Sequence, residues 1–264
     1  MSEWFNDAFS KFGKISGVTW IALGVVVALG LVVLAVSKSQ RKWTPKMIAF
    51  GALAIALSFV LSCVRLYRMP QGGSVTPGSM LPIMLFSASF GVGPGLLVGL
   101  AYGILQYLQG GWFLNVWQFT LDYLLAFAAL GLAGFTDSFE KAHKKFSPKV
   151  WLGIDIVVAS LLCWECLFVL SVFSNWVRLI VAIALGVLVG ILLEKTASWG
   201  LVVASIIAVI GRAISATLAG IMFWETAPLA SLVYNGTYLI PEIVICIILS
   251  LAIAKPVMKV LKAK

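Results

Sequence analysis

Apolar runs long enough to cross a lipid bilayer recur along the whole of this sequence, and that recurrence constrains the fold more than any single motif does. The hydrocarbon core of a bilayer needs about 20 consecutive apolar residues in helical form. Backbone polar groups inside it must be satisfied internally, so each run is expected to be a helix. Of 264 residues, 61% are hydrophobic and only 11% charged, with a mean hydropathy of +1.06, which excludes an ordinary water-soluble domain. The expected class is all-α, a polytopic membrane helix bundle.

The runs fall at residues 18–36, 46–64, 80–90, 96–108, 116–135, 151–173, 176–193, 199–224 and 229–254, giving nine expected spans. Glu3 and Asp7 argue against reading the first run as a signal peptide, which wants a basic leader. Lys and Arg outnumber Asp and Glu by 19 to 10. The excess gathers at Lys38, Arg41, Lys42 and Lys46, at Lys141, Lys144, Lys145 and Lys149, and in a tail with Lys255, Lys259, Lys262 and Lys264. The positive-inside rule places these segments in the cytoplasm, with the N-terminus outside and the C-terminus inside. Such charge in such a chain is a response to the bilayer and its anionic lipids, so a nucleic-acid partner is not expected.

Between the spans, residues 65–79 are polar and punctuated by Gly and Pro, which forbids a lipid-exposed span and marks an outer loop that walls or covers a pocket. Gly91-Val92-Gly93-Pro94-Gly95 turns two short apolar pieces into a tight hairpin. Gly95 and Gly99, four residues apart, read as close helix contacts, as do Ala52 and Ala56. Residues 109–116, with Trp112 and then Trp117, form a second outer loop of membrane-interface character.

Little here resembles a catalyst. Cys63, Cys163, Cys166 and Cys246 all lie in apolar runs, so a disulfide framework or zinc site is not expected, and Cys163-Trp164-Glu165-Cys166 reads as packing. His143, the sole histidine, sits among lysines and reads as solvated. There is no phosphate-binding G-x-x-x-x-G-K-[ST], no HExxH and no Ser–His pairing within the spans. The expectation is a protein that is not an enzyme and carries no cofactor or metal.

The informative residues are the ionisable ones inside the spans, because a charge in lipid is costly enough to mark a site by default. Residues 118–134 carry a single carboxylate, Asp122, above a face of small residues, Ala126, Ala129 and Ala133. At 1.5 Å per residue, Asp122 lies roughly 9 Å from the outer end of its helix, while Arg212 and Glu242 each lie roughly 16 to 18 Å in. Matched depth makes Arg212 and Glu242 either a structural ion pair or ligand contacts. Asp155 and Glu165 read as structural polar contacts within their bundle. Asp122 is left without a cationic protein partner. Around its outer end stand Tyr123, Trp112, Trp117, Trp224, Tyr234 and Tyr238. A lone carboxylate among aromatic faces suits a cationic, planar ligand, through charge and cation–π contact.

Four blocks carry a resemblance. They are Met69-Pro70-Gln71-Gly72-Gly73-Ser74 with Gly78-Ser79-Met80-Leu81-Pro82; the helix from Leu121-Asp122-Tyr123 to Gly134; Ala219-Gly220-Ile221-Met222-Phe223-Trp224; and Ser231-Leu232-Val233-Tyr234-Asn235-Gly236-Thr237-Tyr238. In this order they resemble the thiamine-specific substrate-binding (S) components of energy-coupling factor (ECF) transporters. The resemblance covers about residues 46–135 and 199–254. It implies a six-helix S-component core that captures thiamine at the outer face of the bacterial cell membrane and reorients to release it inside. Its implied partners are a membrane scaffold protein and two ATPases.

The resemblance also implies that Asp122 holds the aminopyrimidine and the positive charge of the ligand, and that Tyr123, Gly220, Trp224 and Asn235 occupy other pocket positions, with Arg212 at a basic one. Trp112 and Tyr238 join them from the reading of the aromatics. Ala52 and Ala56 match the face that docks on the scaffold. The family has a histidine four residues after the basic position, where this chain has Ala216, so another small heterocycle, such as a hydroxymethylpyrimidine or pyridoxine, stays open as the ligand. A self-sufficient secondary transporter is the remaining alternative. Two additions are expected beyond the core: residues 1–45, an extra N-terminal span with a basic linker, and an inserted helical hairpin at about 150–196 within the domain of residues 46–264.

Overall fold

A computed structural model describes Gly24 and residues 43–145, 148–170, 174–196 and 199–263. The expected first span, 18–36, lies outside these residues, as do the side chains of Glu165 and Cys166. The described residues are helical apart from one two-stranded hairpin and the connecting turns, and the chain is a multi-pass membrane protein. Four helices are long and apolar enough to cross a membrane: Pro45–Cys63 (α1), Val116–His143 (α4), Trp199–Phe223 (α7) and Pro228–Lys262 (α8). Between α1 and α4 lie Leu81–Phe90 (α2) and Val92–Leu108 (α3), and between α4 and α7 lie Pro148–Leu170 (α5) and Asn175–Thr196 (α6).

Local chemistry sets the boundaries. Thr44 caps α1, its hydroxyl oxygen accepting from the Met47 N–H at 3.2 Å, with Pro45 in the first turn where a missing N–H costs nothing. One residue, Gly91, separates α2 from α3. Its φ of +99° is closed to most side chains, so the expected tight hairpin forms there. The 65–79 connection is more ordered than a loop: Tyr67–Arg68 (β1) pairs antiparallel with Ser74–Val75 (β2), closed by Met69 N–H donating to the Gly73 carbonyl at 2.7 Å.

The expected smooth Asp122 helix is not regular. Thr120–Leu125 is wound as a π-helix and Ala129–Phe135 as a 3₁₀-helix, with three α-helical residues between them. Ser215 in α7 donates to the Leu121 carbonyl within the wide turn at 2.7 Å. Below this turn, Phe127, Ala128, Gly131 and Gly134 lie against α3 at backbone distance, while Ala129 of the small-residue face meets Gly211 of α7. A Cβ at Gly99 would stand 2.3 Å from the Phe127 carbonyl oxygen, and one at Gly131 2.3 Å from the Leu96 nitrogen. Only glycine allows this approach, which is how the Gly95/Gly99 spacing expresses itself.

α2 is the centre of the bundle, with Ile83 and Met84 fully enclosed. α1 covers it with Gly51, Ala54 and Ser58 and turns Ala52 and Ala56 outward, beside Leu53 and Leu57. The pair α5 and α6 is a hairpin seated against α8, its own arms meeting where Gly186 faces Ser160. Asp155, read as a structural contact, accepts from the Trp199 indole N–H at 2.7 Å. His143 corrects its expectation: it is half-buried, its ring 4.5 Å from that of Trp199, because α4 carries it into the bundle rather than out into a loop. At the same end Lys262 pairs with Asp137 at 3.0 Å and Lys46 donates to the Ala263 carbonyl, so basic residues gather at one end of the bundle.

Candidate functional site

At the opposite end from these basic residues, the ends of α1, α3, α4, α7 and α8 and the β1–β2 hairpin enclose a cavity of about 280 Å³. All eight residues expected to bind ligand line it: Trp112, Asp122, Tyr123, Arg212, Gly220, Trp224, Asn235 and Tyr238. They come from the loop before α4 and its first turns, from the second half of α7 and the residue that follows it, and from the start of α8. Antiparallel neighbours bring these segments to one level.

Asp122 is held from its own helix. Asn115 caps α4, its side-chain oxygen accepting from the Gln118 N–H at 2.9 Å. Gln118, fully buried, then accepts from the Leu114 N–H at 3.1 Å and donates its amide to Asp122 Oδ2 at 2.6 Å. The Trp224 indole N–H points at the same oxygen from α7 at 3.4 Å. Among the described residues Asp122 forms no ion pair, so a negative charge faces the cavity with neutral donors behind it.

Aromatic rings build the walls. Trp112 and Trp224 meet edge to face at 6.1 Å, and Tyr234 and Tyr238 do so at 6.1 Å on α8. The Tyr123 hydroxyl accepts from the Trp112 N–H at 2.9 Å, which fastens the 109–116 loop to α4. The Tyr238 hydroxyl donates to Asn235 at 2.7 Å, and Asn235 in turn donates to the Ser231 carbonyl at 2.9 Å. Trp117, grouped with these aromatics in the sequence, is half exposed and is not part of the wall. Gly220 is needed for helix approach as well as for room, since a Cβ there would lie 2.2 Å from Ser231 Oγ.

The Arg212–Glu242 ion pair does not form. Depth along a helix fixes height but not direction, and the two side chains diverge. Arg212 is half-buried in the cavity wall with its guanidinium 4.2 Å from the centre of the Phe127 ring, a cation–π contact. Glu242 is buried and turned to the segment after β2, accepting from Thr76 N–H at 2.5 Å, Thr76 hydroxyl at 2.5 Å and Ser79 hydroxyl at 3.1 Å. It ties the hairpin to α8.

Sequence reasoning missed Gln118, Arg65, Arg68, Gln106 and Gln109. Gln118 had a signal, since Asn115-x-x-Gln118 is a cap and Gln118-x-x-x-Asp122 is one helical turn. The others are carried by the cavity ends of α1 and α3 and by β1, whose inward side is not legible from a two-residue strand. Ala216 and Ala126 also line the cavity, leaving it without a histidine.

Comparison with known proteins shows the family. The sequence model of the family described as "Thiamine transporter protein (Thia_YuaJ)" matches residues 48–262. The chain belongs to this thiamine transporter family. It is 31% identical over 217 residues to the thiamine transporter ThiT of Bacillus subtilis (strain 168), covering 80% of this chain and 90% of that protein. A solved structure of ThiT from Listeria monocytogenes matches with a TM-score of 0.51 and 19% identity, covering 80% of this chain and 93% of that one. At that identity the likeness concerns the fold, an α-helical membrane bundle.

Proposed function

We propose that the chain is the high-affinity thiamine-binding subunit of an ATP-driven ECF importer of the bacterial cell membrane. Asp122 is the anchor for the aminopyrimidine and the cationic charge. Trp112, Tyr123, Trp224 and Tyr238 supply aromatic faces, Asn235 and Arg212 supply polar contacts, and Gly220 lets α7 and α8 close around the ligand. The observation that carries this reading is an Asp122 carboxylate with no ion pair, backed by Gln118 and Trp224, in an aromatic cavity of a size that suits one small heterocycle.

The basic end opposite the cavity faces the cytoplasm, and the cavity faces outward. The outward-turned Ala52 and Ala56 form the docking face for the scaffold protein, through which two ATPases drive reorientation and release. Ala216 in the cavity wall favours one second reading, a hydroxymethylpyrimidine or pyridoxine as ligand.

Competition against radiolabelled thiamine tests the choice of ligand. Unlabelled thiamine is expected to displace label at lower concentration than either rival, and a lower value for a rival would overturn the assignment. Uptake by vesicles holding the chain with its co-purified partners is expected to require ATP. Uptake by the chain alone on an ion gradient would contradict the ATP-driven mechanism.

A further inference from the structure

A second cavity, of about 490 Å³, lies toward the basic end of the bundle. Ile154, Val158, Ala159 and Leu167 of α5 with Leu185 and Val189 of α6 form one wall, and α7, α8 and the end of α4 form the other. The two arms of the α5–α6 hairpin touch each other closely, Gly186 against Ser160 and Gly190 against Ile156, and Asp155 is pinned to α7 by the Trp199 indole N–H at 2.7 Å. The cavity therefore lies between the hairpin and the core, not within the hairpin.

Protein interiors hold few voids larger than a water molecule, so a space this size calls for a filler. Water does not suit it. Asp155 is the one charged residue in the described lining, and Trp199 takes one of its oxygens, while Phe139, Val202, Val244 and Ile247 offer only carbon. The cavity is also open at the side: Ile154, Val158, Leu185 and Ile248 belong to its lining and are 39–54% exposed on a surface that meets lipid.

Its dimensions select the filler. From Ile154 to Leu167 the groove follows α5 for about 20 Å. That is close to the depth of one leaflet, half of a hydrocarbon core about 30 Å thick. Its volume spread over that length leaves a section of about 25 Å², roughly a third of that of an α-helix about 10 Å across, which admits a single hydrocarbon chain and excludes a helix. Charge beside the groove names the class of lipid. The end of α4 that supplies Phe139 and Ala142 carries exposed Lys141, Lys144 and Lys145, while its two carboxylates are engaged elsewhere, Asp137 with Lys262 and Glu140 with the Gly200 N–H. Lysines at a bilayer surface attract anionic headgroups.

We propose that the groove between the α5–α6 hairpin and the core is a lipid site, holding one acyl chain of an anionic phospholipid whose headgroup lies on Lys141, Lys144 and Lys145. The bound chain completes the seat of the hairpin against α7 and α8.

The test uses the full chain purified in detergent, followed by native mass spectrometry and by thermal melting as long-chain phosphatidylglycerol is added. One lipid is expected to stay bound per chain and to raise the melting temperature with its concentration. Dihexanoyl phosphatidylglycerol, with the same headgroup but chains too short to fill the groove, and long-chain phosphatidylcholine are each expected to bind about tenfold more weakly. Two variants fill the groove from opposite walls, Ala159→Phe in α5 and the partly exposed Val203→Phe in α7, and each is expected to lose the retained lipid and its stabilisation together. Unchanged retention in either variant, or equal binding of the short-chain lipid to wild type, overturns the placement of a chain in the groove. The comparison of chain lengths is made on wild type and so does not depend on either variant folding. Equal binding of phosphatidylcholine overturns the headgroup site on the lysines. Wild-type protein that retains no phosphatidylglycerol, or a dimer that the groove-filling variants dissociate, overturns the proposal as a whole.

Discussion

Removing the Glu242 side chain is expected to loosen the lid of the site without touching its lining. Glu242 is enclosed in α8 and collects three hydrogen bonds from the segment that follows β2. Thr76 is fixed at both ends, since its hydroxyl oxygen also accepts from the Ser79 N–H at 3.0 Å. In Glu242→Ala the Thr76 N–H cannot turn to another partner and is stranded in a dry place, which costs about 1–3 kcal/mol. Losing the two hydroxyl contacts adds about 0.5–1.5 kcal/mol each. A total of about 3 kcal/mol corresponds to about a hundredfold rise in local opening. Glu242→Gln should be mild: its carbonyl can face the Thr76 N–H while its amide donates to the two hydroxyl oxygens. Hydrogen exchange of residues 65–79, followed by mass spectrometry, reads this directly. The expected pattern is about a hundredfold loss of protection in the alanine variant and near-normal protection in the glutamine variant. Unchanged exchange in Glu242→Ala, or equal damage in both, would refute the role given to Glu242.

Other outcomes follow from single contacts. Gly99→Ala places a Cβ against the Phe127 carbonyl and should destabilise the α3–α4 contact by about 3 kcal/mol, seen as a lower melting temperature in detergent; Gly91→Ala meets open space and costs about 1–2 kcal/mol through its positive φ alone. Trp224→Phe removes the indole donor from Asp122 and should weaken ligand binding about three- to tenfold in an equilibrium titration. Glu225 ends α7 with a φ of +53°, unusual for a non-glycine residue, so Glu225→Gly should raise thermal stability, worth about 1 kcal/mol.

Much of this architecture is legible in the sequence, because apolar run length and internal backbone satisfaction leave few alternatives to helices. The meeting of Trp112, Asp122, Trp224 and Asn235 follows from counting crossings, since antiparallel spans bring alternate ends to one side. What the count cannot supply is direction around a helix axis. Arg212 and Glu242 share a depth but point to different neighbours, one to Phe127 and the cavity, the other to Thr76 and Ser79. The π-helical turn at Asp122 also leaves no mark in composition, because it depends on neighbours such as Ser215 from another helix. Arg65 and Arg68 were hidden for a third reason: the inward side of a short hairpin is set by where its partners dock, here Tyr234 and Tyr238.

The most direct test of the site is a titration of purified protein with thiamine, read by intrinsic tryptophan fluorescence, in wild type and in Asp122→Asn. Trp112 and Trp224 flank the cavity and report on its occupancy. Saturable quenching in wild type, with affinity falling at least about a hundredfold in Asp122→Asn as the only carboxylate among the described lining residues loses its charge, is the result this account predicts. Saturable quenching of equal affinity in both proteins, or none in wild type, would contradict it.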